Sequence, residues 1–367
     1  MKVLITGANG FVGQNLTIHL QQQGVEVVKF THDMSPSGLT NRLEGVNFIF
    51  HLAGVNRPKE ISEFAEGNAS LTGKLCDSIR ASGRSIPVIY TSSIQVEVDN
   101  PYGISKLAAE DALIMLEKDT GSPVYLYRLA NVFGKWSRPN YNSAVATFCH
   151  NIANDLPIQI NDSSAQVRLV YIDDVVKDFM RLMETQPNGV VRPEVSPSYT
   201  ITVGELASQI KSFKSSRESM VTEAVGTGLT RALYSTYLSF LQPEQFSYSV
   251  PVHADPRGRF VEMLKTKDSG QFSFFTAHPG ITRGGHYHHS KNEKFLVIQG
   301  KARFGFRQIV TGEAYEKFTD GELPEIVETV PGWSHDITNI GENEMIVLLW
   351  ANEIFDCQQP DTVTFKV

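Results

Sequence analysis

Cysteine is scarce: Cys76, Cys149 and Cys357 are the 3 cysteines in 367 residues, scattered and without metal-ligand spacing. An odd, unpatterned set reads as small buried hydrophobes in a reducing compartment. Long apolar runs are missing too. None approaches ~18 residues, so no membrane-spanning helix is expected. Charge of one sign is not concentrated: 33 basic and 40 acidic residues give a formal net of -7, with no basic block to attract a phosphate backbone. Nucleic acid is therefore not an expected partner. At the amino terminus, Met1–Leu4 run straight into glycines instead of the apolar region of a signal peptide, which points to the cytoplasm. There is no internal repeat or low-complexity segment.

The length of the chain favours two domains, and its texture changes near residue 245. Residues 2–6 are a short apolar run, followed by Gly7, Gly10 and Gly13 and then by Val12, Leu16 and Leu20 at helical spacing. Strand, tight turn and helix in this order let the backbone approach a pyrophosphate, whose charge rests on the helix N-terminus. Gly24 closes the helix and Val25–Phe30 reads as a second strand. Thr31 and His32 stand at its end, with Lys29 nearby. A small polar residue beside cationic groups accepts a 2′-phosphate and favours NADPH; the alternative is that Asp33 is the acid that holds an NAD ribose. A third strand over Val46–Ala53, a helix over Ser62–Ser82 and a strand over Pro87–Thr91 follow. The last of these delivers Thr91, Ser92 and Ser93 to the sheet edge where ligands bind.

Asp99, Asn100 and Pro101 read as a helix start. Tyr102 and Lys106 then fall at i and i+4 on one helical face. An ammonium near a phenol favours the phenolate, so the tyrosine is expected to have a lowered pKa and to exchange a proton with a carbinol or carbonyl oxygen, with Ser93 bonding the same oxygen. Glu184–Thr202, with Pro187, Pro193 and Pro197, reads as loop. Val203–Phe213 and Leu229–Leu241 read as helices, and the prolines at 243, 251 and 256 mark the junction near residue 245.

These residues carry a resemblance. Thr6-Gly7-Ala8-Asn9-Gly10-Phe11-Val12-Gly13, His51-Leu52-Ala53-Gly54, Ser93 with Tyr102 and Lys106, Arg128-Leu129-Ala130-Asn131-Val132-Phe133-Gly134, and Arg168 with Tyr171-Ile172-Asp173-Asp174-Val175 together resemble an extended short-chain dehydrogenase/reductase over about residues 1–240. The resemblance implies a Rossmann-type doubly wound α/β domain and a nicotinamide cofactor on the glycine turn, Phe11, Val12, Leu52, Ala53, Tyr102 and Lys106. It also implies catalysis by Ser93, Tyr102 and Lys106. Asn131 would lie in the pocket of a nucleotide-linked sugar and Arg168 near its nucleotide or pyrophosphate. The chain is short after Tyr171 for this family, which implies a reduced substrate lobe.

Beyond the junction come short alternating runs, Arg259–Leu264, Phe272–Thr276, Phe295–Ile298, Ala302–Phe306 and Met345–Trp350, separated by turn residues. They argue an all-β barrel or jelly roll. Here Gly280, His286, His288, Glu293 and Gly300, followed by Pro331, Gly332, His335 and Asn339, resemble the two motifs of the cupin superfamily, with one residue missing between the second proline and glycine. Histidines two apart on a strand point to one side. The ligand set His286, His288, Glu293 and His335 suits zinc, iron, manganese or nickel. His289 and Tyr287 are expected to point away, and His253 and His278 have no patterned partners.

A ketone reductase joined to a metal-bearing cupin fits one keto sugar passing through both: the ketone acidifies the neighbouring carbon, the metal stabilises the resulting charge, and reduction makes the inversion irreversible. The whole chain, including Ser235-Thr236-Tyr237-Leu238, Lys291-Asn292-Glu293-Lys294-Phe295-Leu296-Val297 and Gln359-Pro360-Asp361-Thr362, resembles the bifunctional enzymes of UDP-N-acetyl-L-fucosamine synthesis for capsule and O-antigen. That likeness implies domains over 1–245 and 246–367. It implies zinc-dependent epimerisation of carbon 3 of UDP-2-acetamido-2,6-dideoxy-4-hexulose, NADPH reduction of carbon 4 to UDP-N-acetyl-6-deoxy-L-talosamine, and a homodimer with interlocking domains. A cupin dioxygenase fused to a reductase and an NADP- and sugar-binding sensor are the alternatives.

Overall fold

The structure, a computed structural model, describes residues 1–35, 38–289, 291–323, 325–358 and 360–367. Gln359 of the quoted Gln359–Thr362 motif lies outside them. The chain divides into two compact units, Met1–Ile210 with Arg231–Leu241, and Lys211–Thr230 with Gln242–Val367. The segment Lys211–Thr230, expected before the junction near residue 245, clusters with the second unit because Val221 and Thr222 pair in parallel with Lys265 and Thr266.

In the first unit, β1 (Lys2–Thr6), α1 (Phe11–Gln22), β2 (Glu26–Phe30), α2 (Leu39–Arg42), β3 (Phe48–His51), α3 (Ser62–Phe64), α4 (Leu71–Ala81), β4 (Val88–Ser93), α5 (Pro101–Thr120) and β5 (Val124–Leu129) follow one another. The chain continues through β6 (Asn131–Phe133), α6 (Ala144–Ala153), β7 (Gln166–Tyr171), α7 (Ile172–Thr185), β8 (Val190–Val191), β9 (Tyr199–Thr202), α8 (Val203–Ser219) and α9 (Gly228–Leu238). β8 and β9 lie in the stretch read as loop. A parallel sheet has the order β2-β1-β3-β4-β5-β8. Its inner strands are buried on both faces, as in Phe48–His51, where all four residues are inaccessible. That explains runs such as Phe-Ile-Phe-His that do not alternate. The strand order reverses between β1 and β3, which opens a crevice at their C-terminal ends. β6, β7 and β9 form a second, small sheet.

The expected helix over 62–82 is interrupted: Ala65–Ser70 is π-helical between α3 and α4, and one of its residues, Asn68, is buried. α5 starts as expected, with the Asn100 side chain accepting from Gly103 N at 2.8 Å and Pro101 in the first turn. It stops at Gly121, whose φ of 67° suits glycine.

The second unit adds β10 (Val221–Thr222), β11 (Val252–Asp255), β12 (Gly258–Thr266), β13 (Gly270–Ala277), β14 (Thr282–Tyr287), β15 (Glu293–Gln299), β16 (Lys301–Gln308) and β17 (Ala314–Asp320). It ends with β18 (Ile326–Glu328), β19 (Trp333–Asn339), β20 (Met345–Ala351) and β21 (Val363–Thr364). One sheet runs β10-β12-β13-β20-β15-β18 with β11 beside β12, the other β17-β16-β19-β14-β21. Alternation sets what each strand buries: along β16, Ala302, Phe304 and Phe306 face inward. They join Phe275, Phe295, Ile337 and Val347 in one core drawn from both sheets, the layering of a β-barrel or jelly roll. Each such fully buried side chain contributes roughly 1.5–3 kcal/mol.

Candidate functional site

The crevice of the first unit is a cleft of about 910 Å³. Gly7, Gly10, Phe11, Val12, Gly13, Leu52, Ser93, Tyr102, Lys106 and Asn131 are among the residues that line it. Gly7 is required there. Its φ is +69°, and a Cβ would lie 2.8 Å from the backbone of Ala53, so the turn after β1 can close on the end of β3 only without a side chain. Ala53 therefore packs against the glycine turn, and Thr31 and His32 stand at the end of β2; none of the three lines the cleft. The Thr31 hydroxyl donates to the Asp33 carboxylate, which holds that carboxyl below its ordinary value.

Tyr102 and Lys106 share one face of α5. Burial lowers the Lys106 pKa to about 8, while the nearby Glu110 charge opposes the shift. Its Nζ donates to the Thr91 carbonyl at 2.9 Å and sits 4.8 Å over the Tyr90 ring. The Tyr102 phenol is raised by burial, which outweighs its hydrogen bond with Ser93. This reverses the lowered pKa expected from the Tyr–Lys spacing: desolvation dominates the phenol, and the ammonium is committed to a backbone carbonyl. Ser93 also caps the following turn, accepting from Gln95 N at 3.2 Å.

Several supporting residues have no catalytic motif of their own. His51 stacks on Tyr90 and is fully buried. Thr72 donates to the Asn68 carbonyl at 2.7 Å, so its oxygen accepts from His51 Nε2 at 2.8 Å, and His51 Nδ1 accepts from Thr6 at 2.7 Å. Only the neutral Nε2–H ring satisfies all three, and burial lowers the His51 pKa to about 3. Asn68 spans Val55 and Ser105, and a Cβ on Gly54 would lie 2.9 Å from both its Oδ1 and Lys106 Nζ. Below the serine strand-end, Ser92 donates to Glu110 at 2.5 Å, and Arg128 pairs with the same buried carboxylate at 2.8 Å. The sequence offered one clue, that His51 and Arg128 stand inside the quoted motifs.

Asn131 and Arg168 meet through the backbone, Asn131 Nδ2 donating to the Arg168 carbonyl at 3.0 Å. The half-exposed Arg168 guanidinium instead reaches Ser198 and Glu194, at 3.4 and 3.9 Å.

In the second unit the structure brings His286, His288, Glu293 and His335 together. One nitrogen or carboxylate oxygen from each lies within 4.8 Å of the others. β14 and β19 carry two of the imidazoles opposite each other, since His286 registers with His335. His288 and Glu293 are buried. Burial and the neighbouring His335 and His288 lower the His286 pKa to about 4. Burial pushes Glu293 up, but its bonds with His288, His335 and Lys291 prevail and keep it ionised.

This donor set fits a divalent cation for a specific reason. His288 Nδ1 faces the Asp361 carbonyl. A carbonyl only accepts, so Nδ1 carries a proton, and Nε2 is the nitrogen turned to Glu293 Oε2, 3.3 Å away. His335 Nε2 lies 3.4 Å from the same oxygen, and its Nδ1 is buried without a hydrogen-bond partner among the described residues. Three imidazoles and a carboxylate gathered in a buried space are a donor set that a divalent cation takes. Lys291 holds the other oxygen, Oε1, at 2.9 Å. His289 is exposed and Tyr287 only half-buried, with their rings 5.3 Å apart.

Two family models match the chain: the NAD dependent epimerase/dehydratase family over residues 3–195 and the polysaccharide biosynthesis C-terminal domain over residues 253–363. The chain is 64% identical over 368 residues to a UDP-2-acetamido-2,6-beta-L-arabino-hexul-4-ose reductase of Pseudomonas aeruginosa, covering 100% of this chain and 99% of the relative. It is similar to the crystal structure of the capsular polysaccharide assembling protein CapF from Staphylococcus aureus, with a TM-score of 0.92, 41% identity and full coverage of both chains. A dTDP-4-dehydro-6-deoxyglucose reductase of Escherichia coli is 23% identical over 60% of this chain and 83% of its own length. Among the described residues no helix is long and apolar enough to cross a membrane.

Proposed function

Because the chain belongs to the NAD dependent epimerase/dehydratase family, and is related along its whole length to a UDP-sugar 4-keto reductase, we propose that it reduces the carbon-4 ketone of a UDP-linked 2-acetamido-2,6-dideoxy-4-hexulose in capsule or O-antigen synthesis. We further propose that its second unit first epimerises carbon 3 of that sugar, so that the product is UDP-N-acetyl-6-deoxy-L-talosamine. The observation that carries this reading is the presence of two different sites in one chain: a glycine-turned cleft lined by Ser93, Tyr102 and Lys106, and a buried cluster of three imidazoles and one carboxylate.

A nicotinamide held in the cleft would supply hydride to carbon 4. Tyr102 gives its proton to the ketone oxygen as the alkoxide forms, and the raised phenol pKa keeps that proton in place at neutral pH. Ser93 bonds the same oxygen. Lys106, with a pKa near 8, is cationic at neutral pH and favours the phenolate left behind. Asn131 orients the sugar, and Arg168 turns toward the nucleotide when the ligand is bound. A divalent metal, proposed as zinc, would be held by His286, His288, Glu293 and His335 and would supply Lewis-acid stabilisation of the charge that develops as a proton leaves carbon 3. We propose NADPH as the reductant, on Thr31, His32 and Lys29. The carboxylate of Asp33, ionised and tied to Thr31, favours the second reading, NADH. A cytoplasmic homodimer completes the proposal.

Incubating the purified protein with the UDP-4-keto sugar in deuterated water, with and without NADPH, tests both halves. Deuterium at carbon 3 without NADPH, and a reduced sugar only with it, is the expected result. Reduction without any exchange overturns the epimerase half, and oxygen consumption with bound iron turns the second unit into a dioxygenase. A preference for NADH over NADPH moves the cofactor assignment to Asp33.

A further inference from the structure

The last residues of the chain meet the imidazole cluster at several points. The Asp361 carbonyl faces His288 Nδ1. Its carboxylate accepts from two consecutive points of the ligand-bearing loop, His289 N on Oδ1 and Lys291 N on Oδ2, each at 2.9 Å. Two residues on, β21 pairs with β14 so that Thr364 registers with His286 and Val363 with Tyr287. Phe365 N donates to the Gly285 carbonyl at 2.9 Å, and the Phe365 carbonyl accepts from Ser334, the neighbour of His335. A segment of five residues, 361–365, thus touches the backbone or side chain at or beside three of the four candidate ligands.

We propose that the C-terminal segment is a strap that builds the metal centre, with Asp361 as its positioning residue. The inference rests on the reading of the four-residue cluster as a metal site. The Asp361 carbonyl fixes the proton on His288 Nδ1, which leaves Nε2 as the only lone pair that the ring can offer a cation. Its carboxylate does a second thing: it holds the N–H groups of His289 and Lys291, two points of the stretch that joins His288 to Glu293. Lys291 Nζ then reaches Glu293 Oε1 and turns Oε2 toward the imidazoles. A carboxylate is suited to this task because one rigid side chain presents two acceptors to two donors that point the same way. The short Asp361–Thr364 stretch therefore acts on cation affinity without supplying a ligand, as partners behind ligating histidines do elsewhere.

The test is Zn2+ affinity, measured by competition with a chromophoric chelator on the full chain, together with the visible spectrum of the Co2+-loaded protein. Asp361→Ala keeps the backbone carbonyl but loses both loop anchors. It is expected to weaken Zn2+ binding by about 10–100-fold and to change the Co2+ bands. Asp361→Asn keeps one acceptor oxygen and should fall between the two. Near-UV circular dichroism of each metal-free variant establishes that it is folded; if Asp361→Ala is not, Asp361→Asn carries the comparison alone. Affinity within twofold of wild type and an unchanged Co2+ spectrum in a folded variant overturn the strap. Absence of stoichiometric Zn2+ binding in the wild-type protein instead overturns the metal site itself.

Discussion

The buried polar residues of the two units differ in how they are satisfied. In the first unit, His51, Thr6, Thr72, Asn68 and Ser105 form a chain in which protein donors meet protein acceptors, and one tautomer of His51 closes it. In the second, one oxygen is shared: Glu293 Oε2 faces the nitrogens of His288 and His335 at 3.3 and 3.4 Å. A closed network rigidifies its surroundings and needs nothing more. Imidazole nitrogens and a carboxylate gathered in one buried place match what a divalent cation takes as ligands. The first arrangement holds a cofactor cleft in shape; the second gathers the donor atoms of a candidate cation site.

The comparison breaks most visibly if the two chemistries cannot be separated. Tyr102→Phe is expected to lower NADPH oxidation by about 10²–10⁴-fold while solvent deuterium still enters beside the ketone. His288→Ala should do the reverse, abolishing exchange yet still reducing a ketone supplied already epimerised. If both folded variants lose both activities, the two sites are not independent.

A smaller effect sharpens the contrast between closed and open networks. His51→Leu removes the acceptor of Thr6 and the donor to Thr72, at a cost of about 1–3 kcal/mol for each group left unpaired. Chemical denaturation should show the loss, with Zn2+ stoichiometry unchanged. The same residue sets an acid response. Its folded pKa is about 3 against 6.5 for the free side chain, so the unfolded chain binds more protons between these values. The His51 contribution is complete above pH 6.5 and is lost as pH falls toward 3, by about 1.4 kcal/mol per pH unit. The slope should shrink by one proton in His51→Leu. Least of all, Asn100→Ala removes the α5 cap, bonded to Gly103 N at 2.8 Å, and should cost about 1 kcal/mol in thermal stability with little effect on metal binding.

Much of both sites is legible in the chain because their chemistry is local. Glycines at 7, 10 and 13 between a strand and a helix specify a turn. Tyr102 and Lys106 share a helical face by backbone period, and His286 and His288, two residues apart at the end of β14, reach the same cluster. What was not legible depends on segments far apart in sequence. The phenol was read as lowered, since a neighbouring lysine four residues on is visible in sequence and burial is not. The helix over 62–82 hides a π-helical turn whose Asn68 reaches Ser105, 37 residues away.

The sequence by itself determined the two textures, apolar strands alternating with helices and then alternating strands without helices, and with them a parallel sheet followed by a β-barrel. The candidate ligands His286, His288, Glu293 and His335 were also legible in it, as positions of the two motifs that resemble a cupin's. Only the tertiary structure decided the state of each group in those positions. The neutral ring of His51, the Nδ1–H form of His288 and the ionised Glu293 follow from partners such as Thr72 and Asp361. Proton positions answer to distance and desolvation, which exist only once the chain has folded.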